Sequence, residues 1–407
     1  HIKGTSDEVV TAVGHVDTFS GTPTVSLDDA HDLAELKTIN DAISGTITLN
    51  DYTVHLSGST ADVKAALDGT FAEDYEGNVT LTDAADVVIQ ATDITTIKGD
   101  TTGDITVSHN MHIKGTSDEV VTAVGHVDTF SGTPTVTLSD AHTLAELKTI
   151  NDEISGTITL NDYTIPLSGT TEHVKDALAG DFAEEYEGDV TLTDAVDVIQ
   201  ATDITTIEGY TTGHIDASAV TIISGSYSEF ITLYDAVQAN EITINSNSEL
   251  NISGSISVGE ANVLDTKTTG TITATISNTT IHELKQLTNE NSNNAYTFSI
   301  TDSTGDADDL NTIFKNTSEH VNITSLTSLS GSYPACNRFV TSTNEYFIAI
   351  QANGAVTHLY DEVNIHLVNI YEVNVHDTTT STLPSATELA NFEFKIKDLS
   401  LIHISEP

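Results

Sequence analysis

The segment Asp302–Asp309 carries the residues best suited to chemistry in this chain. It reads Asp-Ser-Thr-Gly-Asp-Ala-Asp-Asp, so the carboxylates of Asp302, Asp306, Asp308 and Asp309 surround one glycine. Carboxylate oxygens are hard ligands of the kind that Ca²⁺ prefers, although the closing glutamate of an EF-hand loop is missing. These four residues are therefore the candidate metal ligands, with calcium as the metal. The alternative is a solvated turn ahead of a helix that starts near Asp309.

Acid–base catalysis has weaker candidates. Glu73-Asp74 and Glu184-Glu185 are the only repeated carboxylate pairs, and adjacent side chains on a helix do not face each other. The chain has no Gly-rich phosphate loop, no metalloprotease helix motif and no Gly-x-Ser-x-Gly nucleophile elbow. We therefore expect no enzyme, no catalytic residue, no cofactor-binding residue and no required cofactor.

Repeated aromatic residues offer a route to carbohydrate binding. The chain has no Trp, and its recurring tyrosines are Tyr52 and Tyr75, which correspond to Tyr163 and Tyr186. Aromatic faces can carry sugars, so a ladder of tyrosines is one interpretation. Packing of the same rings in a core is the other.

The charge balance excludes several partners. Only 13 residues are basic and 61 are acidic, which gives a net charge of −48. Such a chain repels nucleic acid and anionic membrane surfaces. Because salt shortens the range of this self-repulsion, we expect a saline or calcium-rich medium. Cys336 is the single cysteine, so neither an intrachain disulfide nor a thiolate cluster can form.

Internal repeats divide the chain. His1–Val25 recurs without change as His112–Val136, a period of 111 residues. The chain opens on such a repeat, so we expect a piece of a longer protein. The predicted divisions are repeat copy 1 (1–111), repeat copy 2 (112–216), divergent coils (217–332), C-terminal coils or a cap (333–398) and a tail that we expect to be non-native (399–407).

A shorter motif inside the copies predicts the elements that position these residues. Val25-Ser-Leu-Asp-Asp29 has seven echoes, which start at Ile47, Val79, Val136, Ile158, Val190, Ile231 and Ile256. Alternating apolar residues predict a short strand, the closing acid predicts the N-cap of the helix that follows, and Ser44-Gly45 predicts that helix's end. The expected fold class is an α/β repeat solenoid, with short parallel strands alternating with helices in stacked coils of about 24–32 residues.

Four segments carry a family resemblance. Ile252–Leu264, Thr268–Ser277, Asn294–Asp302 and Ala307–Asn311 resemble the repeats of giant cell-surface proteins of marine cyanobacteria. The resemblance is good over about residues 225–330 and loose over the two copies. It implies a secreted, very acidic, very long protein linked to the cell surface, with a role in motility, defence or adhesion.

These observations together predict a non-enzymatic, extracellular structural or adhesive repeat protein of a cell surface or filament. We expect its partner to be itself, through end-to-end or lateral assembly, or cell-surface glycans, with no nucleic acid and no insertion into a membrane. One alternative is a calcium- or glycan-binding adhesin module. A second is a carbohydrate-active enzyme built on parallel strands.

Overall fold

The computed structural model describes residues 1–85, 87–290, 293–319, 321, 323, 325–326, 328–331, 372–375 and 402–404. The chain forms two compact units. The first contains residues 1–193 and 206–216, and the second contains residues 194–205 and 217–407. Most of the predicted C-terminal region (333–398) and tail (399–407) lies outside the described residues.

Short helices alternate with strands along the chain. They are α1 (Ser6–Gly14), α2 (Leu33–Ala42), α3 (Thr60–Leu67), α4 (Ala91–Asp100), α5 (Ser117–Gly125), α6 (Leu144–Glu153), α7 (Thr171–Leu178), α8 (Ala201–Glu208), α9 (Tyr227–Ala239), α10 (Val258–Asp265), α11 (Ile281–Leu284) and α12 (Ala307–Lys315).

Most of these helices start at a Ser, Thr or Asp whose side chain accepts the backbone N–H three residues on. Thr5 with Glu8, and Asp32 with Glu35, form full capping boxes, in which the glutamate also accepts the N–H of the cap residue. The caps are what allow helices of only two or three turns to start at defined residues.

Strands of two to eight residues separate the helices. They are β1 (Ile2–Gly4), β2 (Val25–Leu27), β3 (Ile47–Thr48), β4 (Leu56–Gly58), β5 (Val79–Leu81), β6 (Val88–Gln90), β7 (Ile105–Val107), β8 (His112–Gly115), β9 (Thr129–Phe130), β10 (Thr135–Leu138), β11 (Ile158–Thr159), β12 (Leu167–Gly169), β13 (Val190–Leu192), β14 (Val198–Gln200), β15 (Ile215–Ala217), β16 (Ile222–Gly225), β17 (Ile242–Ile244), β18 (Glu249–Ile256), β19 (Ile272–Ile276), β20 (Ala295–Thr297), β21 (Thr304–Asp306), β22 (Ser328–Gly331), β23 (Glu372–Val375) and β24 (Ile402–Ile404).

In the first unit the strands form parallel ladders with a nearly constant spacing. The ladders run β1-β2-β3, β4-β5-β7-β9, β6-β8-β10-β11 and β12-β13-β15. Ile2 pairs with Val25 and Val25 with Ile47, while the widest step joins Val79 to Ile105. Paired residues therefore lie 22 to 26 positions apart, slightly less than the predicted coil length, because the strands contribute so few residues.

The second unit has the same kind of sheet. One parallel ladder runs β14-β16-β18-β19-β20, and another runs β21-β22-β23-β24. A register shift in β18 between Asn251 and Ser255 coincides with Gly254, whose φ of 79° is a left-handed value that glycine accepts readily. The fold is thus α/β, with parallel sheets of short strands alternating with helices.

Apolar side chains of strands and helices meet in the core of each unit. In β2, Val25 and Leu27 are fully or nearly fully buried while Ser26 between them is half-buried, as expected for a strand with one inner face. On the following helix, Leu36 and Ile39 have no exposed surface. This is the arrangement that the alternating motif predicts.

Two of the eight motif matches do not form the predicted strand. The run from Ile231 lies inside α9, because Ser226 and Glu229 form a capping box that starts a helix ahead of it. At the other match, Ile256 is the last residue of β18 and Val258 is the first of α10. The motif is an apolar alternation too short to separate a strand from a helix by itself.

Ser44-Gly45 also has a different role from the predicted one. α2 ends before Ile43, whose backbone is extended, so Gly45 does not cap the helix in a left-handed conformation. A Cβ placed on Gly45 would lie 2.0 Å from the carbonyl oxygen of Pro23. Glycine is needed here because two turns from neighbouring steps of the ladder approach closely.

Candidate functional site

The predicted calcium residues are placed at the starts of two helices. Asp302 accepts the backbone N–H of Ile281, the first residue of α11, at 2.7 Å. Asp306 is the N-cap of α12 and accepts the N–H groups of Asp308 and Asp309 at 2.9 and 3.3 Å. The helix that was predicted to start near Asp309 therefore starts at Ala307, after the strand β21.

The fourth carboxylate in this segment takes part in an ion pair. Asp309 Oδ2 lies 2.9 Å from Lys285 Nζ. Within the described residues, no three His, Cys, Asp or Glu side chains converge in a way that could hold a metal ion. The structure thus gives Asp302, Asp306 and Asp309 partners within the protein, and the calcium assignment stays a prediction.

Carboxylates instead join successive steps of the ladder. Asp29, just after β2, accepts the N–H of Ser6, the first residue of α1, at 2.7 Å. Asp140 does the same for Ser117 of α5 at 2.7 Å. A carboxylate at a helix N-terminus satisfies a free donor and complements the helix dipole. We call this contact, from a carboxylate after one strand to the helix before that strand, the carboxylate clasp.

The clasp corrects the predicted role of the acid that closes the strand motif. That acid was expected to cap the helix that follows it, but α2 is capped by Asp32, and Asp29 serves the preceding helix. The distinction depends on which helix lies beside the strand end in space, and local sequence does not contain that information.

A second contact strengthens the clasp in both copies. The glutamate that completes the capping box of one helix also accepts the hydroxyl proton of the serine that starts the helix before it, Glu35 from Ser6 at 2.9 Å and Glu146 from Ser117 at 2.8 Å. Burial raises the pKa of Glu146, but the hydrogen bonds from Thr143 and Ser117 outweigh burial and lower it overall. These glutamates therefore remain ionised and link two helices each.

A buried histidine–tyrosine pair occurs once in each copy. His31 Nε2 lies 3.2 Å from Tyr75 Oη, which donates to the carbonyl oxygen of Val54 at 2.6 Å. The second copy repeats the pair as His142 and Tyr186, 3.1 Å apart. Because the tyrosine proton is used on a carbonyl, the tyrosine oxygen accepts from Nε2–H, which leaves Nδ1 unprotonated.

Both histidines are held neutral by their surroundings. Each is 4% exposed, and within the described residues neither Nδ1 atom has a hydrogen-bond partner. Burial lowers the pKa of His31, against the opposing effect of Asp51, Asp32 and Asp29. Burial likewise lowers the pKa of His142. A charge on either ring would be poorly solvated, so the pair can respond to acid.

Among the predicted aromatic residues, Tyr75 and Tyr186 are only 2% and 1% exposed, and burial raises the pKa of both phenols. Their rings therefore pack in the core and present no face to a sugar. Tyr52 and Tyr163 each accept a backbone N–H, from Leu49 and Leu160 respectively, at 3.1 Å. Sequence reasoning found the recurring tyrosines but missed His31 and His142, whose recurrence 111 residues apart was the available signal.

The carboxylate pairs considered for catalysis are exposed and lie outside helices. Glu73 and Asp74 occupy the segment between Phe71 and Tyr75, and Glu184 and Glu185 occupy its counterpart in the second copy. The expectation that these pairs lie on helices was wrong, because α3 and α7 end before them. Neither pair belongs to a larger cluster of metal-binding or titratable side chains in the described part of the chain.

Two further observations concern the chain's surroundings and relatives. Among the described residues, none of the helices combines the length and the apolar character needed to cross a membrane. No protein-family model, no curated protein and no solved structure matches this chain.

Proposed function

We propose that this chain is a structural or adhesive repeat protein without catalytic activity, which works outside the cell at a cell surface or in a filament. Each unit is a solenoid of stacked strand-and-helix coils. The observation that carries the proposal is the spacing of the ladders, in which each strand residue of the first unit pairs with a residue 22 to 26 positions later. Such a spacing returns the chain beside itself once per coil.

The order of the strands favours a solenoid over a doubly wound sheet. In a doubly wound sheet the strand order reverses at a switch point. Here each ladder follows chain order, and the intervening strands belong to the neighbouring ladder, as β7 lies between β6 and β8 in sequence. The carboxylate clasps also join each helix to the next strand step, which is the nearest-neighbour bonding of a repeat array.

The distribution of charge supports a saline, extracellular setting. Lysines pair with carboxylates, as Lys3 does with Asp28 at 3.1 Å and Lys37 with Asp41 at 2.9 Å. With 13 basic residues against 61 acidic ones, most carboxylates still face solvent without a basic partner. Salt or divalent cations relieve that repulsion. A calcium- or glycan-binding adhesin module remains the alternative, with cell-surface glycans as its partner.

Electron microscopy of the negatively stained protein in saline buffer, with calcium and then with chelator, tests the proposal. Filaments or thin rods would support it, and loss of filaments in chelator would support the calcium-dependent alternative. Near-spherical particles in both conditions would contradict a solenoid. Release of reducing sugar from a panel of polysaccharides would contradict the absence of catalysis and favour a carbohydrate-active enzyme.

A further inference from the structure

One sequence occurs in two structural settings in the first unit. Residues 1–25 and 112–136 are identical, and they form β1 with α1 and β8 with α5. β8 pairs on one side with β10 and on the other with β6. β1 pairs with β2, the counterpart of β10, and is the edge strand of its ladder. The two copies therefore differ by one neighbouring strand.

The missing neighbour changes the exposure of three apolar side chains. In the second copy Ile113 and Ala123 have no exposed surface, and Val127 is 7% exposed. Their identical counterparts in the first copy, Ile2 and Ala12, are half-exposed, and Val16 is 39% exposed. We call the surface formed by Ile2, Ala12 and Val16 the N-terminal face.

The second copy shows what covers this surface. Ile89 of β6 pairs with Ile113, and α4 packs against α5. Ala91, the first residue of α4, lies so close to β8 that a Cβ on Gly115 would come within 2.9 Å of its own Cβ. Gly4 occupies the corresponding position in β1, so the N-terminal face retains the close-approach glycine that this packing requires.

The edge of β1 also presents backbone groups. Ile2 donates its N–H to the carbonyl of Thr24, and the carbonyl of Gly4 accepts from Asp28, both toward β2. Successive residues in a parallel ladder bond to opposite sides, so the N–H and C=O of Lys3 point toward the free edge. Lys114, its counterpart, pairs with Gln90 in the register of β6.

We propose that the N-terminal face is a docking surface for a strand-and-helix segment of this same repeat type, carried by another chain, with Val88–Asp100 as its template. The incoming strand lies parallel to β1, with the counterpart of Ile89 opposite Ile2. Its helix covers Ala12 and Val16, as α4 covers α5. This inference rests on the proposed solenoid, and it adds the chemistry of the partner: Ile at position 89, a small residue at 91, and Ile at 94 and 97, all four buried in the template.

Pairing of two N-terminal faces with each other fits less well. A two-fold axis between two β1 strands makes them antiparallel, whereas every described strand pair of the first unit is parallel. A parallel partner that brings its own helix is the only arrangement for which the chain provides a template. Self-association through this face is accordingly an outcome that would count against the proposal.

The test uses the full chain and two forms of the partner. One is a synthetic peptide of residues 87–107, and the other is an extended chain in which residues 87–111 are repeated ahead of His1, so that Met111 precedes His1 as it precedes His112. Hydrogen exchange of the Lys3 amide is compared with that of Lys114. We expect the Lys3 amide in the extended chain to slow to the rate of Lys114, and the peptide to slow it in the unextended chain at saturating concentration.

Two variants supply the controls. Ala12→Glu should weaken peptide binding at least about tenfold and return the Lys3 amide of the extended chain to fast exchange, because the helix that docks would bury the new charge. Thr11→Glu adds the same charge at a position that is exposed in both copies, and should leave both measurements unchanged.

The outcomes separate this inference from the proposed function. Fast exchange at Lys3 in the extended chain, with Lys114 protected, overturns the docking surface and leaves the solenoid intact. Fast exchange at both amides means that the pairing of β6 with β8 is itself absent and overturns the solenoid as well. Dimerisation of the unextended chain that Ala12→Glu abolishes would overturn the proposed partner in favour of self-pairing.

Discussion

Asp83 accepts two hydrogen bonds from Thr60, one from its backbone N–H at 2.8 Å and one from its hydroxyl at 2.6 Å. Asp83 follows β5, and Thr60 is the first residue of α3. Both side chains are almost fully buried, with 6% and 1% of their surface exposed. This is the most buried of the described carboxylate clasps, and it gives the clearest measure of what a clasp contributes.

Asp83→Ala should lower the free energy of unfolding by about 2 kcal/mol, because it leaves the buried donors of Thr60 without an acceptor. Denaturant unfolding followed by circular dichroism measures the change. Asp17→Asn, at an exposed position, is the control and should stay within about 0.5 kcal/mol of the natural chain. Equal effects of the two substitutions would show that the clasp adds no stability.

The buried histidines should make the first unit sensitive to mild acid. The folded-state pKa values of His31 and His142 lie below the usual 6.5, so the unfolded chain binds protons more readily. Their contribution is fully present above about pH 6.5 and falls as the pH drops toward the folded pKa, by up to about 1.4 kcal/mol per histidine for each pH unit.

Thermal unfolding between about pH 7.5 and pH 5.5 tests this expectation. The double variant His31→Gln and His142→Gln should lose most of the pH dependence in that range, since it has no group at these positions that titrates. His15→Gln, at an exposed position, should retain it. An unchanged pH profile in the double variant would rule out these histidines as its source.

The duplicated sequence provides a matched pair of substitutions in the folded chain. Ala123→Glu should lower the free energy of unfolding by about 3 kcal/mol or more, because Ala123 is fully buried between helices. Ala12→Glu, in the identical local sequence, should cost about 0.5 kcal/mol or less, because that position is half-exposed. Comparable losses in chemical denaturation would mean that the two copies are covered alike.

Asp306 allows the predicted calcium site to be tested against its capping role. Asp306→Ala should lower the free energy of unfolding by about 1 kcal/mol through loss of the cap of α12. The same loss is expected with calcium and with chelator, if the cap is the carboxylate's whole role. Calorimetry in both conditions gives the comparison, and a loss confined to calcium would establish Asp306 as a metal ligand.

Local pattern was sufficient to predict the strands that begin at Val25 and Val79 and the helix that follows at Leu33, because apolar alternation and helical spacing are both short-range signals. It failed at Ile231, where the same alternation continues a capped helix. The coarse fold followed from these elements, since parallel strands require a crossover between them.

The contacts between steps were beyond prediction for a different reason. Asp29 and Ser6 are 23 residues apart, and His31 and Tyr75 are 44 apart, so each pair depends on the register of the ladder. Sequence alone does not fix that register to a single residue. The duplication was the one usable signal, because a residue kept in both copies at a polar core position points to a partner elsewhere in the fold.

The carboxylate clasps all point the same way along the first unit. α1, α3 and α5 each receive the carboxylate from the step that follows in sequence, through Asp29, Asp83 and Asp140. Removing a step from the C-terminal side therefore uncovers the positive end of the helix before it, whereas removing one from the N-terminal side takes that helix away together with its own clasp. The array has a mechanical polarity, and a force that peels it from the C-terminal side meets a freshly weakened helix at every second or third step.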